Sequence, residues 1–214
     1  MNEKLTNKKY INIYNIIIIN MSIITKRGDF GYTSLYNGDR MPKNHPRIKA
    51  LGEIQHLTYM ISQYISVTKK ENTTIKNAKT QLKIIMHWLY ELSAYIATPR
   101  DNSTPDKIEQ TRFTPDKEND LTKMIHKLED ILPKQTCLLL PMGNKYSCGL
   151  YILSSQTRKV ERKIYTAIKD NKTEMKDVLP FINRLSDYFY ILARSVNKLY
   201  KIKEIPYKKN VRMQ

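Results

Sequence analysis

The chain has 214 residues, of which 41% are hydrophobic, and 37 Lys and Arg against 20 Asp and Glu give it a formal net charge of +17. This length is typical of a single domain that buries its own core, and the hydrophobic fraction argues against a wholly disordered chain. The low content of 6 glycines and 9 prolines excludes collagen-like and Gly/Pro-rich low-complexity proteins.

The first 21 residues form a distinct segment at the start of the chain. Their apolar run, residues 16–19, is far shorter than the ~18–20 residues that cross a membrane. The segment has neither the small-residue cleavage site of a secretory signal nor the arginines of a mitochondrial address. We therefore interpret residues 1–21 as a poorly structured extension or as the product of an upstream start codon, with Met21 as the true first residue. The expected compartment is the cytoplasm, with the mitochondrion as the alternative.

Five later segments carry apolar residues spaced by three and four, which is the pattern of a helix that packs one face on a core. The five seams are Ala50, Ile54, Leu57, Ile61 and Tyr64; Ala78, Leu82, Ile85, Leu89, Leu92 and Ile96; Leu121, Ile125, Leu128 and Leu132; the weaker Leu150, Leu153, Thr157, Val160, Ile164 and Ala167; and Phe181, Leu185, Tyr188, Leu192 and Val196. They predict an all-α bundle of five roughly antiparallel helices over residues 22–200.

Prolines and polar residues predict where these helices begin and end. Pro46 suits the first turn of the first helix, and Pro99 ends the second because it pushes the preceding residue out of the helical region. Residues 100–114 are polar and predict an exposed loop. Thr114, which is followed by proline, is expected to cap the third helix, and Pro133 to close it.

The glycine-containing segment at residues 25–34 precedes the first helix and lies outside every seam. Glycine lets backbone N–H groups approach phosphate oxygens closely, and the hydroxyl groups of Thr33 and Ser34 and the ammonium group of Lys26 add donors. No Gly-Lys-Ser/Thr follows, so the segment is not the nucleotide loop of P-loop proteins. The residues themselves leave two interpretations open, a phosphate-binding loop and a simple turn.

Polar groups also lie on the last two helices. Arg158 and Arg162 are four residues apart and share a helix face, which suits either a polyphosphate clamp or an ion-paired solvated surface. Glu161 follows Arg158 by three residues and is expected to pair with it. Residues 183–187 place four polar side chains around one seam leucine, and such residues are buried only when they have partners.

The remaining cysteines and lysines predict no separate site. Cys137 and Cys148 lack CxxC spacing and a paired histidine motif, so neither a disulfide framework nor a zinc site is expected. Residues 201–214 are interpreted as a basic, solvated tail. Nucleic-acid binding is not favoured, because no platform combines aromatic and basic residues and because AT-rich codon usage also explains the abundance of lysine.

Together, these segments resemble one family, the PduO-type ATP:cob(I)alamin adenosyltransferases, over residues 24–197. The family's opening loop, Thr-Lys-x-Gly-Asp-x-Gly-x-Thr/Ser-Ser, is matched at residues 25–34, and its Asn-Arg-Leu-Ser-Asp-Tyr sequence stands unchanged at residues 183–188. The other matched motifs are Gly38-Asp39-Arg40-Met41-Pro42-Lys43, Arg47 with Ala50 and Gly52, Ala97-Thr98-Pro99, Leu139-Leu140-Pro141 and Arg158-Lys159-Val160-Glu161-Arg162. Several ordered motifs at matching spacing are more specific than any one of them.

The resemblance implies a five-helix bundle that assembles as a homotrimer, with ATP at the subunit interface. It implies transfer of the 5′-deoxyadenosyl group of ATP, bound with Mg²⁺, to the cobalt of reduced cobalamin, with triphosphate as the leaving group. Arg158 would be catalytic, neutralising the triphosphate together with Lys43 and Arg162, and Asn183 would hold the nucleotide or its metal ion. The residues that the resemblance places on ATP are Thr25, Lys26, Gly28, Asp29, Gly31, Thr33, Ser34, Lys43, Arg158, Glu161, Arg162 and Asn183.

Four positions on the corrinoid side differ from the family, whereas the ATP side is kept. Gln55 and His56 stand where the family has Asp and Glu, Ser154 where it has Arg, and Leu138 where it has Phe. The family's Asp and Arg pair with each other, so their joint loss leaves no uncompensated charge. Two functions therefore stay open: a corrinoid adenosyltransferase, and an inactivated ATP-binding bundle used for regulation or protein interaction. A role of His56 as a cobalt ligand or base is a further alternative.

Overall fold

The computed structural model describes residues 24, 26–68 and 73–210, and most of these residues are helical. A two-stranded antiparallel hairpin opens the described chain, and six helices follow it. The elements are β1 (Tyr32–Ser34), β2 (Arg40–Pro42), α1 (Pro46–Val67), α2 (Thr73–Ile96), α3 (Pro105–Gln110), α4 (Asp116–Glu129), α5 (Lys145–Ile168) and α6 (Lys172–Leu199). The predicted extension, residues 1–21, lies outside the described residues.

The hydrophobic core lies among the long helices: α1 packs on α2 and α5, and α6 packs on α4 and α5. The predicted seams form this core, and almost every seam residue is buried. Leu128, Leu132 and Ala167 are partly exposed because they lie at or beyond the ends of their helices. The predicted helical bundle is therefore confirmed.

A buried ion pair joins the ends of three helices. Arg47, in the first turn of α1, donates a hydrogen bond of 2.7 Å to the Glu174 carboxylate and one of 3.1 Å to the Ile96 carbonyl at the end of α2. Glu174, in the first turn of α6, also accepts a hydrogen bond of 2.9 Å from the Arg100 backbone N–H. The two charged side chains are only 8% and 0% exposed, so each charge depends on the other.

The helix boundaries differ from the predicted ones at three places. Residues 100–114, predicted as a loop, contain the short helix α3, because Pro105 at its start is preorganised for a helix. Thr114 does not cap α4, since Pro115 occupies the N-cap position. Pro180 lies inside α6, which begins well before the predicted seam and tolerates the loss of one backbone hydrogen bond.

The β1–β2 hairpin is a feature that the sequence analysis missed. Gly38, at φ 102°, lies in its turn, where the Leu35 N–H donates to the Asp39 carbonyl over 2.9 Å. The Tyr36 N–H donates to the Ala97 carbonyl over 2.9 Å, which fastens the hairpin to the end of α2. No helix in the described part of the chain is both long and apolar enough to span a membrane.

Candidate functional site

The glycine loop that precedes β1 folds against Lys43. Hydrogen bonds of 3.3 Å, from the Asp29 N–H to the Lys26 carbonyl and from the Gly31 N–H to the Gly28 carbonyl, form two turns. Gly31 has a φ of 78°, which favours glycine, and its carbonyl accepts a hydrogen bond of 2.8 Å from the Lys43 N–H. A Cβ atom at Gly28 would lie 3.3 Å from Lys43 Nζ. An exposed ammonium group therefore lies over the turn, where it can meet an anion.

The far end of this loop lines a cleft of about 380 Å³ that α1 and α2 complete. Besides Thr33 and Ser34, the cleft is lined by Ile48, Leu51, Gly52, Gln55, Thr58, Tyr90 and Ser93. Its aliphatic and hydroxyl groups and the half-exposed Tyr90 ring suit a planar organic group. Sequence reasoning missed Ile48, Leu51 and Tyr90 because they lie outside the buried seams. The spacing of three between Ile48 and Leu51 is the signal that could have indicated a second apolar face of α1.

The predicted polar group on α5 and α6 has different partners from the expected ones. Glu161 accepts a hydrogen bond of 3.1 Å from the Asn183 side-chain amide, so it orients Asn183 and not Arg158. Arg158 instead faces Asp187 of α6, at 3.8 Å between Nη2 and Oδ1. The prediction of an Arg158–Glu161 pair is wrong, because each of the two side chains has a partner on α6 instead: Asn183 for Glu161 and Asp187 for Arg158. Arg158 and Arg162 both remain exposed to solvent.

The two groups of predicted site residues lie on different sides of α1. Gly52 and Gln55 line the cleft toward α2, whereas Glu53 accepts hydrogen bonds from Lys159 and Gln156 of α5, both at 2.8 Å. Burial opposes ionisation of Glu53, but these hydrogen bonds outweigh it and hold the pKa of Glu53 below its ordinary value. Within one chain, the glycine loop thus lies on the α2 side of α1, and the α5 arginines lie beyond its α5 side.

Three of the four positions that the resemblance places on the corrinoid side, Gln55, Ser154 and Leu138, carry uncharged side chains. The Gln55 side chain donates a hydrogen bond of 2.8 Å to the Tyr59 hydroxyl. The buried Ser154 hydroxyl donates one of 2.8 Å to the Ser186 carbonyl on α6. Leu138 lies on the loop before α5, and 73% of its side chain is exposed. These substitutions therefore leave no unpaired charge in the structure.

The histidine and cysteine side chains that the sequence analysis considered form no metal site in the described part of the chain. His56 is exposed, with its Nδ1 atom 4.0 Å from the Glu53 carboxylate. Among the described residues, no group of three or more His, Cys, Asp and Glu side chains could hold a metal ion. Cys137 and Cys148 are free thiols. Thr25 of the predicted ATP loop lies outside the described residues.

Comparison with known sequences gives a match to the family model described as cobalamin adenosyltransferase, over residues 23–196. The human corrinoid adenosyltransferase MMAB is 30% identical over 172 residues, which are 80% of this chain and 67% of the human protein. The corrinoid adenosyltransferase of Bacillus subtilis is 27% identical over 89% of this chain and 94% of its own length.

Comparison with solved structures gives the same family of folds. A phenylalanine-to-alanine variant of the PduO-type ATP:corrinoid adenosyltransferase from Lactobacillus reuteri, complexed with cobalamin and ATP, has a TM-score of 0.77 and 29% identity. The similarity covers 88% of this chain and 100% of that one. An arginine-to-lysine variant of the Lactobacillus reuteri enzyme, complexed with ATP, has a TM-score of 0.75 and 29% identity over 87% of this chain and 100% of that one.

Proposed function

Because the chain belongs to the cobalamin adenosyltransferase family, we propose that it transfers the 5′-deoxyadenosyl group of ATP to the cobalt of a reduced corrinoid and releases triphosphate. The observation that carries this proposal is the placement of the Lys43 ammonium group over the glycine turn, in a segment whose later residues Thr33 and Ser34 line a cleft large enough for an organic group. A cationic group at a glycine turn is an arrangement that favours a polyphosphate.

The reaction needs charge stabilisation more than acid–base chemistry. The reduced cobalt attacks the 5′ carbon of ATP, a cobalt–carbon bond forms, and the carbon–oxygen bond breaks with its electron pair leaving on triphosphate. Lys43, Arg158 and Arg162 neutralise the charge that develops on that leaving group, and Arg158 is the catalytic residue. Asn183, oriented by Glu161, holds the nucleotide or its Mg²⁺ ion. Mg²⁺ binds largely through phosphate oxygens and water in such sites, so it needs no cage of acidic residues.

A site shared between subunits accounts for the separation of these groups within one chain. The glycine loop lies on the α2 side of α1, whereas the arginines project from α5. In a homotrimer, the loop of one subunit can face α5 of the next and complete the ATP site. The separation supports this assembly, because no rearrangement within one chain is then required.

The corrinoid is bound without the ion pair that the family uses. Gln55 and Ser154 are neutral and hydrogen-bonded, so their presence carries no penalty of a buried unpaired charge. None of the groups assigned to the triphosphate is altered. The relatives reported above are all described as adenosyltransferases, which favours the enzyme over the inactivated ATP-binding bundle. The expected compartment is still the cytoplasm, with the mitochondrion as the alternative.

Mixing two inactive variants tests the function and the shared site together. Lys43→Ala and Arg158→Ala should each lower the anaerobic consumption of cob(I)alamin with MgATP by roughly 100-fold, which is typical of the loss of one group that stabilises developing charge. Trimers assembled at random from both variants should regain about a quarter of the wild-type rate, because one interface in four then carries both intact side chains.

The matched control is Lys49→Ala, which removes an exposed lysine of α1 and should leave the rate unchanged. Wild-type rates in the Lys43→Ala variant would contradict the assignment of the loop to ATP. Inactive variants that stay inactive in mixed trimers would contradict the shared site while leaving the activity itself established by the wild-type chain.

A further inference from the structure

The segment that follows α6 runs along the loop between α4 and α5. We name residues 202–207 the C-terminal strap and residues 131–142 the α4–α5 loop. The Leu140 N–H donates to the Ile205 carbonyl and the Tyr207 N–H donates to the Leu138 carbonyl, both over 2.8 Å, around an antiparallel bridge between Leu139 and Pro206. Part of the segment predicted to be a solvated tail is therefore paired with the loop that carries Leu138.

One buried guanidinium group holds both the strap and the loop. Arg194 of α6 forms a bidentate ion pair with Glu204 of the strap, at 2.7 Å from Nε and 3.0 Å from Nη2. Its Nη2 also donates a hydrogen bond of 3.0 Å to the Pro133 carbonyl of the loop. Only 4% of the Arg194 side chain is exposed, and the hydrogen bonds to Glu204 raise the pKa of Arg194 although burial opposes this.

The next turn of α6 binds the two ends of the same loop. Asn197 donates a hydrogen bond of 2.8 Å to the Met142 carbonyl, and Lys198 donates one to the Ile131 carbonyl. The Asn197 carbonyl accepts a hydrogen bond of 2.9 Å from the Ile202 N–H, which turns the chain into the strap. Side chains from one face of α6 thus hold the loop at its start and end, and the strap holds its middle.

The strapped loop presents apolar side chains to solvent. Leu138 is 73% exposed and Met142 is 53% exposed, and the strap adds Tyr207 at 55% and Ile205 at 42%. Single exposed apolar residues are ordinary, but a group of them on a loop held by a buried ion pair forms a surface of defined shape. Such a surface suits a large, mostly apolar planar ring.

We infer that Arg194 and Glu204 are positioning residues, which hold the α4–α5 loop and its Leu138 side chain in place for the corrinoid. This inference rests on the proposed function and on the resemblance that puts Leu138 at a corrinoid-facing position. Neither residue touches the substrate in this account; they act through the loop. The glycine loop is hydrogen-bonded to Lys43 and to Arg40 of the hairpin, far along the chain from the strap, so loss of the strap should weaken corrinoid use much more than ATP use.

Glu204→Ala tests this directly, with Lys203→Ala as the matched control on a neighbouring exposed strap residue. We expect Glu204→Ala to raise the KM for cob(I)alamin by about 10-fold or more, since a misplacement of about 1 Å can reduce catalysis by up to about 100-fold. The KM for MgATP should change by less than about 2-fold, and Lys203→Ala should change neither constant. Amide hydrogen exchange at Leu140 should become faster in Glu204→Ala, because its N–H loses a fixed acceptor.

A second pair of variants keeps the test decisive if Glu204→Ala folds poorly. Tyr207→Pro removes the N–H that donates to Leu138, whereas Tyr207→Ala removes the side chain and keeps the N–H. Tyr207→Pro should raise the KM for cob(I)alamin above the value for Tyr207→Ala. An unchanged corrinoid KM in both Glu204→Ala and Tyr207→Pro, or an equal rise in both substrates' KM values, would overturn the inference. A wild-type chain without turnover would overturn the proposed function, which is a separate result.

Discussion

Gly143 has no Cβ atom, and this lets the α4–α5 loop pack closely against α6. A Cβ atom at this position would collide with the Ser147 hydroxyl oxygen and with the Asn197 side-chain oxygen. The Asn197 amide is the group that holds the Met142 carbonyl, so the space that glycine leaves open is needed for that contact. Gly143 therefore matters through close approach, and not through an unusual backbone angle.

Gly143→Ala should lower the free energy of unfolding by about 1–3 kcal/mol, because the added methyl group overpacks a site that cannot expand freely. Gly52→Ala is the matched control, since nothing lies within 4 Å of a Cβ atom there and the position is inside α1. That variant should be more stable than the wild type by roughly 0.5–1 kcal/mol. Urea unfolding measures both values, and equal stability of the two variants would contradict the account.

At the scale of elements, the Arg47–Glu174 pair fixes how three helix ends meet. It joins the start of α1 to the end of α2 and the start of α6, and the Arg100 backbone completes the Glu174 contacts. The hairpin is fastened to the same region through the Ala97 carbonyl. The geometry of the glycine loop therefore depends on a polar cluster inside the bundle as well as on the apolar core.

Glu174→Gln should destabilise the fold by about 3–5 kcal/mol, because it leaves the buried Arg47 charge without its partner. The matched control is Glu109→Gln, which breaks the exposed pair with Arg112 at 3.8 Å. An exposed pair of this kind contributes under about 1 kcal/mol. Chemical denaturation measures the free energy of unfolding of both variants. A Glu174→Gln variant as stable as Glu109→Gln would show that the buried pair does not stabilise the fold.

The elements also show which parts of the structure the sequence could predict. The long helices follow from apolar spacing, because burial of one face decides whether such a segment is helical. The β1–β2 hairpin and α3 were missed, since elements of three and six residues depend on tertiary contacts such as the one between Tyr36 and Ala97. The strap was missed because nothing in its sequence identifies Arg194 as the partner of Glu204.

The same limit applies to the candidate site. The residues alone left the glycine loop open between a phosphate site and a turn, and only the resemblance favoured phosphate. The spacing of Arg158 and Glu161 predicted an ion pair within α5, but Asp187 and Asn183 on α6 provided competing partners. Short-range spacing cannot identify a partner from another helix, and this is why the arrangement of polar side chains had to be read from the structure.

For the whole molecule, we propose that ATP and the corrinoid are bound mainly by different elements, although Gln55, expected on the corrinoid side, lines the same cleft as Thr33 and Ser34. ATP is assigned to the glycine loop and Lys43 of one subunit and to the α5 arginines of the next. The corrinoid is assigned to the α4–α5 loop, which α6 and the strap hold in place. Gln55 and Ser154, which stand where the resemblance places the family's ion pair, are both neutral, so we propose that the strapped loop provides more of the corrinoid's fixed surroundings.

Anaerobic turnover of the wild-type chain with cob(I)alamin and MgATP, followed by analysis of both products, decides whether the chain is an adenosyltransferase. We expect adenosylcobalamin and triphosphate in equal amounts, because one carbon–oxygen bond of ATP breaks for each cobalt–carbon bond that forms. A chain that binds ATP but forms no adenosylcobalamin under these conditions would contradict the proposed activity and would instead support the inactivated ATP-binding bundle.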